Sequence, residues 1–328
     1  MTKVLLLGLG RWGVNHLRNL RALPVELFVS ETETKRLEPA VKAGVAESHL
    51  FTRYQDALPL VDAVVVVTPA QTHFPICREF IEAGKDVFVE KPITLTSSDA
   101  RELTRLAAEK KRILQVGHIF RFDPAVEWLR NTIQAGQFGR VQMLRGSFSG
   151  FKRPRNDSGI MFADAIHFVD LYNYFLGCTP VRVQAVMQDF MARGMDDATF
   201  LSLEYQTPAG ITWATIDTNY FIPGKFREVA VMGSELSALC DLNATKDRIK
   251  TFANRHVKEG TEFKAVEGAR QSVELRVDEP LKAELQAFLH SVENRTAPSA
   301  DGQSGVDSVR VLEAAMESAK LGRTVEVV

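Results

Sequence analysis

The sequence predicts an α/β domain built on a parallel sheet, followed by an α+β domain built on an antiparallel sheet with helices on one face. Three observations carry that expectation. A glycine-rich turn, Gly8-Leu9-Gly10-Arg11-Trp12-Gly13, follows an apolar run at the start of the chain. Short apolar runs then alternate with amphipathic stretches up to about residue 120, as in βαβ units. Beyond that point longer segments with a period of two dominate.

Strands of the first domain fall at residues 4–7, 27–29, 63–68, 87–89 and 113–116, with helical patterns at 14–20, 36–43, 73–83 and 98–110 between them. The run Ala63-Val64-Val65-Val66-Val67 is continuously apolar, as a strand covered on both faces should be. Gly84 closes one helix, and Ser97 with Ser98 opens the next. In the second domain residues 124–134 and 163–176 read as helices, and 141–149, 181–187, 199–205, 211–220 and 227–232 as strands. Two helices, 281–294 and 306–321, close the chain. The latter is expected to begin after the turn Asp301-Gly302-Gln303-Ser304-Gly305 and to end at Gly322. The organisation expected is two domains in series, residues 1–120 and 121–328.

A chain of 328 residues can bury two such cores. Its 45% hydrophobic and 25% charged content is that of an ordinary globular protein, and a net charge of -1 gives no global field to attract nucleic acid or an anionic membrane. Cys77, Cys178 and Cys240 are too few and too dispersed for a disulfide framework, which points to a reducing compartment. The opening apolar run is too short to span a bilayer, so a cytoplasmic location is expected. No cluster of His, Cys, Asp and Glu has metal-ligand spacing, and no metal is expected.

The glycine turn fits the dinucleotide-binding fingerprint of a Rossmann domain. Gly8 permits the tight turn, Gly10 lets backbone approach a pyrophosphate, and Gly13 allows close helix–strand packing. The helix that follows offers free N–H groups to the phosphates. Glu31, just past the second strand, suits the hydroxyls of an adenosine ribose and would repel a 2′-phosphate, which favours NAD. Lys35 and Arg36 lie close by and could serve a 2′-phosphate, so NADP stays open. Lys91, in Glu90-Lys91-Pro92 at the carboxyl end of a strand, is placed where open α/β sheets bind ligands. An ammonium held there can hydrogen-bond a substrate hydroxyl or carbonyl. Asp62, Asp99 and His16 read as solvated or capping residues.

With these motifs the sequence resembles the Gfo/Idh/MocA oxidoreductase family over nearly its whole length. The resemblance runs through Gly8–Gly13, Thr68-Pro69 with His73, Glu90-Lys91-Pro92, the stretch Gly117-His118-Ile119-Phe120-Arg121-Phe122, and His167-Phe168-Val169-Asp170, and ends in residues 313–322. It implies a Rossmann domain plus a domain with a large, open, mostly antiparallel sheet. It further implies hydride transfer between nicotinamide and a secondary alcohol of a sugar, inositol or nucleotide-linked sugar. By resemblance Lys91 is the catalytic lysine and His167 the acid/base residue. Thr68, Pro69, His73, Glu90 and Lys91 itself join the glycine turn and Glu31 as cofactor-binding residues, and His118, Arg121 and Phe122 join the substrate-binding ones; His73 and His118 could equally be hydrogen bonders at a helix or strand end. Relatives often carry an aspartate four residues before the histidine; here that position is Ala163 and the aspartate is Asp164. On a helix it still shares a face with His167 and could orient it or bind substrate.

Three cations, Lys152, Arg153 and Arg155, crowd a proline-containing stretch before the His167 helix and suit an anionic substrate group. The stretch Phe151-Lys152-Arg153-Pro154-Arg155 followed by Asp164-Ala165-Ile166-His167 is similar to relatives that oxidise C3 of UDP-linked N-acetylhexosamines. A solvated loop is the alternative. Two other function classes stay open: a redox-neutral, NAD-using glycosidase of the same fold, and a non-catalytic ligand sensor. The partners expected are a small sugar-type substrate and further copies of the chain in a dimer or tetramer, with neither nucleic acid nor membrane.

Overall fold

In a computed structural model describing residues 1–328, the chain divides into two compact units. The first comprises Met1–Phe122 with Glu279–Val309. Its strands are β1 (Thr2–Leu7), β2 (Val25–Ser30), β3 (Leu50–Phe51), β4 (Ala63–Val66), β5 (Asp86–Glu90) and β6 (Leu114–Gly117). Helices α1 (Gly13–Arg21), α2 (Glu38–Lys42), α3 (Tyr54–Ala57), α4 (His73–Glu82) and α5 (Ser97–Glu109) alternate with them. The strands form one parallel sheet in the order β3-β2-β1-β4-β5-β6. The order reverses at β1, which makes the carboxyl ends of β1 and β4 a topological switch point. Val64, Val65 and Val66 are fully buried, as their continuous apolar run requires. Thr96 caps α5 by accepting the Asp99 N–H at 3.1 Å.

The unit is not one stretch of sequence. Helix α8 (Pro280–Asn294) places Leu281, Leu285 and Phe288 in the same core as Val4, Leu6 and Phe88. A division in series at residue 120 does not include this return of the chain. The stretch from Gly302 to Gly305, expected as a turn, is instead the first turn of helix α9 (Gly302–Leu321), which starts in the first unit and ends in the second. Its glycines serve packing: a Cβ on Gly305 would stand 2.8 Å from Ile93, and one on Gly302 2.6 Å from Thr104.

The second unit comprises Asp123–Asp278 with Arg310–Val328. Helix α6 (Pro124–Gln134) begins on an Asp123 cap, and strand β7 (Val141–Gly150) follows. Then come α7 (Ile166–Leu176), β8 (Arg182–Gln188), β9 (Ala198–Thr207), β10 (Gly210–Asn219) and β11 (Lys225–Gly233). Five short strands follow: β12 (Ser237–Asp241), β13 (Ile249–Phe252), β14 (Arg255–Glu259), β15 (Glu262–Val266) and β16 (Arg270–Val273), and β17 (Val325–Glu326) lies near the end. Nine strands make one sheet, β16-β13-β12-β11-β7-β10-β9-β8-β17, in which only the β7–β10 pair is parallel. The remaining pair, β14 and β15, forms a separate hairpin. The sequence reading lacks β3, β12 to β17 and this hairpin. β3 and β17 have two residues each and β14 to β16 are largely exposed, so no buried alternation marks them, while β12 and β13 alternate over only five and four residues.

Helix α7 packs closely on one sheet face at Gly146, where a Cβ would lie 2.5 Å from both the Phe168 ring and the Tyr172 hydroxyl. The Tyr172 hydroxyl donates to the Thr215 carbonyl at 3.0 Å across that contact. The alternate residues Met143, Val186, Phe200, Trp213 and Leu239 are each about half exposed. No helix is long and apolar enough to cross a membrane.

Candidate active site

At the end of β1 the three glycines have different surroundings. Gly8 has φ +98°, and a Cβ there would meet the Val67 carbonyl at 2.7 Å. One on Gly13 would meet the Gly8 carbonyl at 2.1 Å. Around Gly10 a Cβ would meet nothing within 4 Å. Two glycines are therefore required by the turn itself, while the third leaves open space in front of the α1 N-terminus. That is the cradle a pyrophosphate needs, so the residues present fit a dinucleotide. Glu31 follows β2 and is buried; its carboxylate accepts the Leu9 N–H at 2.8 Å and the Glu33 N–H at 3.3 Å. It thereby tethers the glycine turn. Arg36 is paired with Glu33 at 2.8 Å.

At the end of β5 the Glu90 carboxylate is buried and accepts from Trp12 Nε1 at 2.6 Å. It also bonds His16 Nε2 at 2.8 Å and takes the Lys91 N–H at 3.2 Å. Burial alone would push its pKa up, but His16, Lys91 and Trp12 together hold it below the usual carboxylate range. His16 is completely buried, so the expectation that it is a solvated or capping residue is wrong. Its place one turn into α1 aims it at β5, a tertiary contact that helical periodicity does not reveal. Trp12, His16 and Glu90 thus join the glycine turn to the lysine turn. On the other side, His73 is buried with Nδ1 2.8 Å from the Pro92 carbonyl and Nε2 2.9 Å from the Thr68 carbonyl. Burial lowers its pKa, opposed by those carbonyls and by Glu90. The ring pins the end of β4 to the Lys91-Pro92 turn.

His118 is buried just beyond β6. The Arg121 guanidinium donates to the Ser299 carbonyl, so that side chain braces its own unit. Phe122 ends the same short 3₁₀ turn, Ile119–Phe122.

In the second unit a single π-helical turn, Met161–Ala165, leads into α7, with the Ile166 N–H reaching back to the Met161 carbonyl. Such turns recur at functional sites because they re-aim side chains. Asp164 is buried in this turn and accepts from Lys152 Nζ at 2.5 Å. His167 is buried in the next turn with its ring stacked on Phe148, centroids 5.6 Å apart. Of the three cations in the basic stretch, Lys152 is engaged by Asp164 and Arg155 by Asp157 at 2.7 and 2.8 Å, while Arg153 is exposed. The sequence reading missed Arg193, Tyr220 and Arg227, which gather at the same rings. Arg227 lies 4.5 Å above Phe148, and Arg193 lies 5.9 Å from the Tyr220 centroid. No motif surrounds them; the only signal was an arginine facing Phe148 across adjacent strands.

Residues 2–118 match an oxidoreductase family described as an NAD-binding Rossmann fold, and residues 130–327 match that family's C-terminal alpha/beta domain. The UDP-N-acetylglucosamine 3-dehydrogenase of Acidithiobacillus ferrooxidans is 29% identical over 95% of this chain and 94% of its own. The scyllo-inositol 2-dehydrogenase (NAD(+)) of Bacillus subtilis is 28% identical over 98% of this chain and 94% of its own. Among solved structures, the Acidithiobacillus enzyme aligns with a TM-score of 0.84 at 25% identity, covering 98% of each chain. GenD2 from gentamicin A biosynthesis, solved with NAD, aligns with a TM-score of 0.82 at 25% identity, covering 99% of this chain and 96% of its own.

Proposed function

We propose that this chain, which belongs to the Gfo/Idh/MocA oxidoreductase family and binds NAD through its first unit, oxidises or reduces a secondary alcohol of a sugar or polyol. C3 of a UDP-linked N-acetylhexosamine is the first position to test, since a relative matched over 95% of the chain bears that activity in its name. The observation that carries the reading is the buried Glu90 carboxylate, which binds the glycine turn through Trp12 and the Lys91 backbone at once.

When bound, NAD supplies the nicotinamide that exchanges hydride with the carbinol carbon. The Gly10 backbone and the α1 N-terminus would hold the pyrophosphate, with Arg11 and Trp12 beside it, and Glu31 would hold the ribose. Thr68, Pro69 and His73 shape the neighbouring strand end. Lys91 donates to the substrate oxygen and stabilises the negative charge that develops on it. His167 takes the hydroxyl proton at a ring nitrogen, and Asp164 serves as a further polar contact in the turn before it. His118, Arg121, Phe122, Lys152, Arg153 and Arg155 are the remaining substrate-binding candidates.

The row of half-exposed apolar residues on the sheet, from Val186 to Leu239, supports a homo-oligomer, because an open sheet with such a face calls for a cover. Light scattering that finds only monomer would refute this. Three free cysteines, two of them buried, support a cytoplasmic location.

The direct test is NADH absorbance with purified protein, NAD or NADP, and a panel of UDP-sugars, uronates, free sugars and inositols. Substrate-dependent NADH formation with NAD is the expected result. A silent panel with NAD co-purifying would move the assignment to a redox-neutral enzyme, and a silent panel without cofactor to a sensor.

A further inference from the structure

The second unit gathers four polar groups that the protein itself leaves unsatisfied. Arg193 belongs to the loop between β8 and β9, whose backbone is held by acids. Asp189 accepts the Arg193 and Gly194 N–H groups at 2.9 and 2.7 Å, and the buried Asp197 accepts those of Phe190 and Met191 at 3.0 and 2.8 Å. One Arg193 nitrogen, Nη1, donates to the Arg155 carbonyl at 2.7 Å, but Nε and Nη2 are shielded from solvent with no acceptor. Arg227, on β11, stands opposite Phe148 in the sheet register, and its Nε is likewise shielded without an acceptor. The Tyr220 hydroxyl is buried; the Arg155 backbone N–H approaches its oxygen, and its own proton has no acceptor.

These groups are contiguous. Lys152 Nζ sits 4.6 Å from the Phe148 centroid and 5.6 Å from that of Tyr220. Arg227 covers Phe148 and Arg193 approaches Tyr220. The His167 ring stacks on the same Phe148, so Lys152 and Arg227 lie within one aromatic ring of the imidazole, while Arg193 joins them through Tyr220. Asp164 is the nearby acid, and it is engaged by Lys152. Burial lowers the pKa of Arg227, with Asp164 only partly offsetting it. Tyr220 is pushed up to about 12, first by burial and then by Asp164, so its hydroxyl keeps its proton as a donor.

Shielded guanidinium donors without acceptors are costly, and an anionic oxygen group is the ligand that satisfies several of them together. We infer that Arg193, Arg227 and Tyr220 form a subsite for an anionic oxygen group, phosphoryl or carboxylate, carried by the substrate near its reacting carbon. The basic stretch around Lys152 supplies part of the field, while the free donors come from elsewhere in the chain. Calling the ligand a substrate rests on the dehydrogenase reading; the anion site itself does not.

The test is calorimetric titration of the NADH-loaded protein, which cannot oxidise an alcohol, with UDP, glucuronate and neutral myo-inositol. Wild type should bind UDP or glucuronate, the first outcome indicating phosphoryl and the second carboxylate recognition. Arg193→Gln and Arg227→Gln should each weaken that anion about 10- to 100-fold while leaving the melting temperature and any myo-inositol binding unchanged. Arg227→Lys keeps the charge and should recover part of the loss, which also covers the case in which Arg227→Gln fails to fold. Anion affinity unchanged in the variants, or absent in wild type, would overturn the subsite. Since binding is read without turnover, a silent NADH assay with intact anion binding would remove only the dehydrogenase reading. Turnover of neutral polyols without anion binding would remove only the subsite.

Discussion

In the first unit the candidate residues hang on the ends of neighbouring parallel strands: Gly8 after β1, Glu31 after β2, Thr68 after β4, Glu90 on β5 and His118 after β6. In the second, Lys152, Asp164, His167, Arg193, Tyr220 and Arg227 come from separate loops, helices and strands and meet around two aromatic rings. The first arrangement is set by backbone geometry, the second by side-chain packing. A parallel sheet delivers its strand ends to one edge whatever the side chains are. An antiparallel sheet has no such common edge, so its chemistry must be assembled by tertiary contact.

The largest effects should test whether the two regions contribute one residue each to proton handling. Lys91→Ala and His167→Ala should each cut turnover by about 10²- to 10⁴-fold while NAD binding, read by fluorescence titration, persists. Full activity in either variant would remove that residue from the mechanism and leave one region as a scaffold.

Glycines sharpen the contrast at an intermediate scale. Gly13→Ala and Gly146→Ala each force a Cβ well inside van der Waals contact, 2.1 Å from a carbonyl and 2.5 Å from an aromatic ring. Each should cost about 1–3 kcal/mol or more and lower the melting temperature by several degrees. Gly10→Ala meets no protein atom, so its melting temperature should match wild type while NAD affinity falls about tenfold, or 1.4 kcal/mol. Wild-type NAD affinity in Gly10→Ala would mean that this open space is not the phosphate cradle.

The smallest effect concerns Glu90. Its folded pKa lies below the ordinary value, so its charge contributes stability in full above about pH 4.3, and that contribution is lost as pH falls through the lower folded value. Urea unfolding of Glu90→Gln should therefore show a deficit against wild type at neutral pH that shrinks in strong acid. A deficit independent of pH would assign Glu90 a role in shape alone.

Much of the first unit could be read directly, because Gly8-x-Gly10-x-x-Gly13, Glu31 and Glu90-Lys91-Pro92 are written as short local patterns next to apolar runs. His16 could not, since its partner Glu90 is 74 positions away and nothing local distinguishes it from a solvated helix residue. Arg193 and Arg227 escaped for the same reason. The basic stretch drew notice through its density of charge, yet two of its three cations are engaged by Asp164 and Asp157. Local density is a property of sequence, while unmet donors are a property of the fold. The glycines of residues 302 to 305 misled in the opposite direction: small side chains that suggest a turn were needed for a helix to press against Ile93 and Thr104.

Helix α8 bears on how the protein is made. Its Leu281, Leu285 and Phe288 complete the core around β1 and β2, so these strands wait for a helix synthesised long after them. Until then a parallel sheet, slow to form and rich in distant pairings, stands with apolar surface uncovered while the whole intervening sheet is synthesised. Nascent-chain chaperones would find their substrate there, and a fragment ending at Phe122 would inherit the same exposed patch permanently.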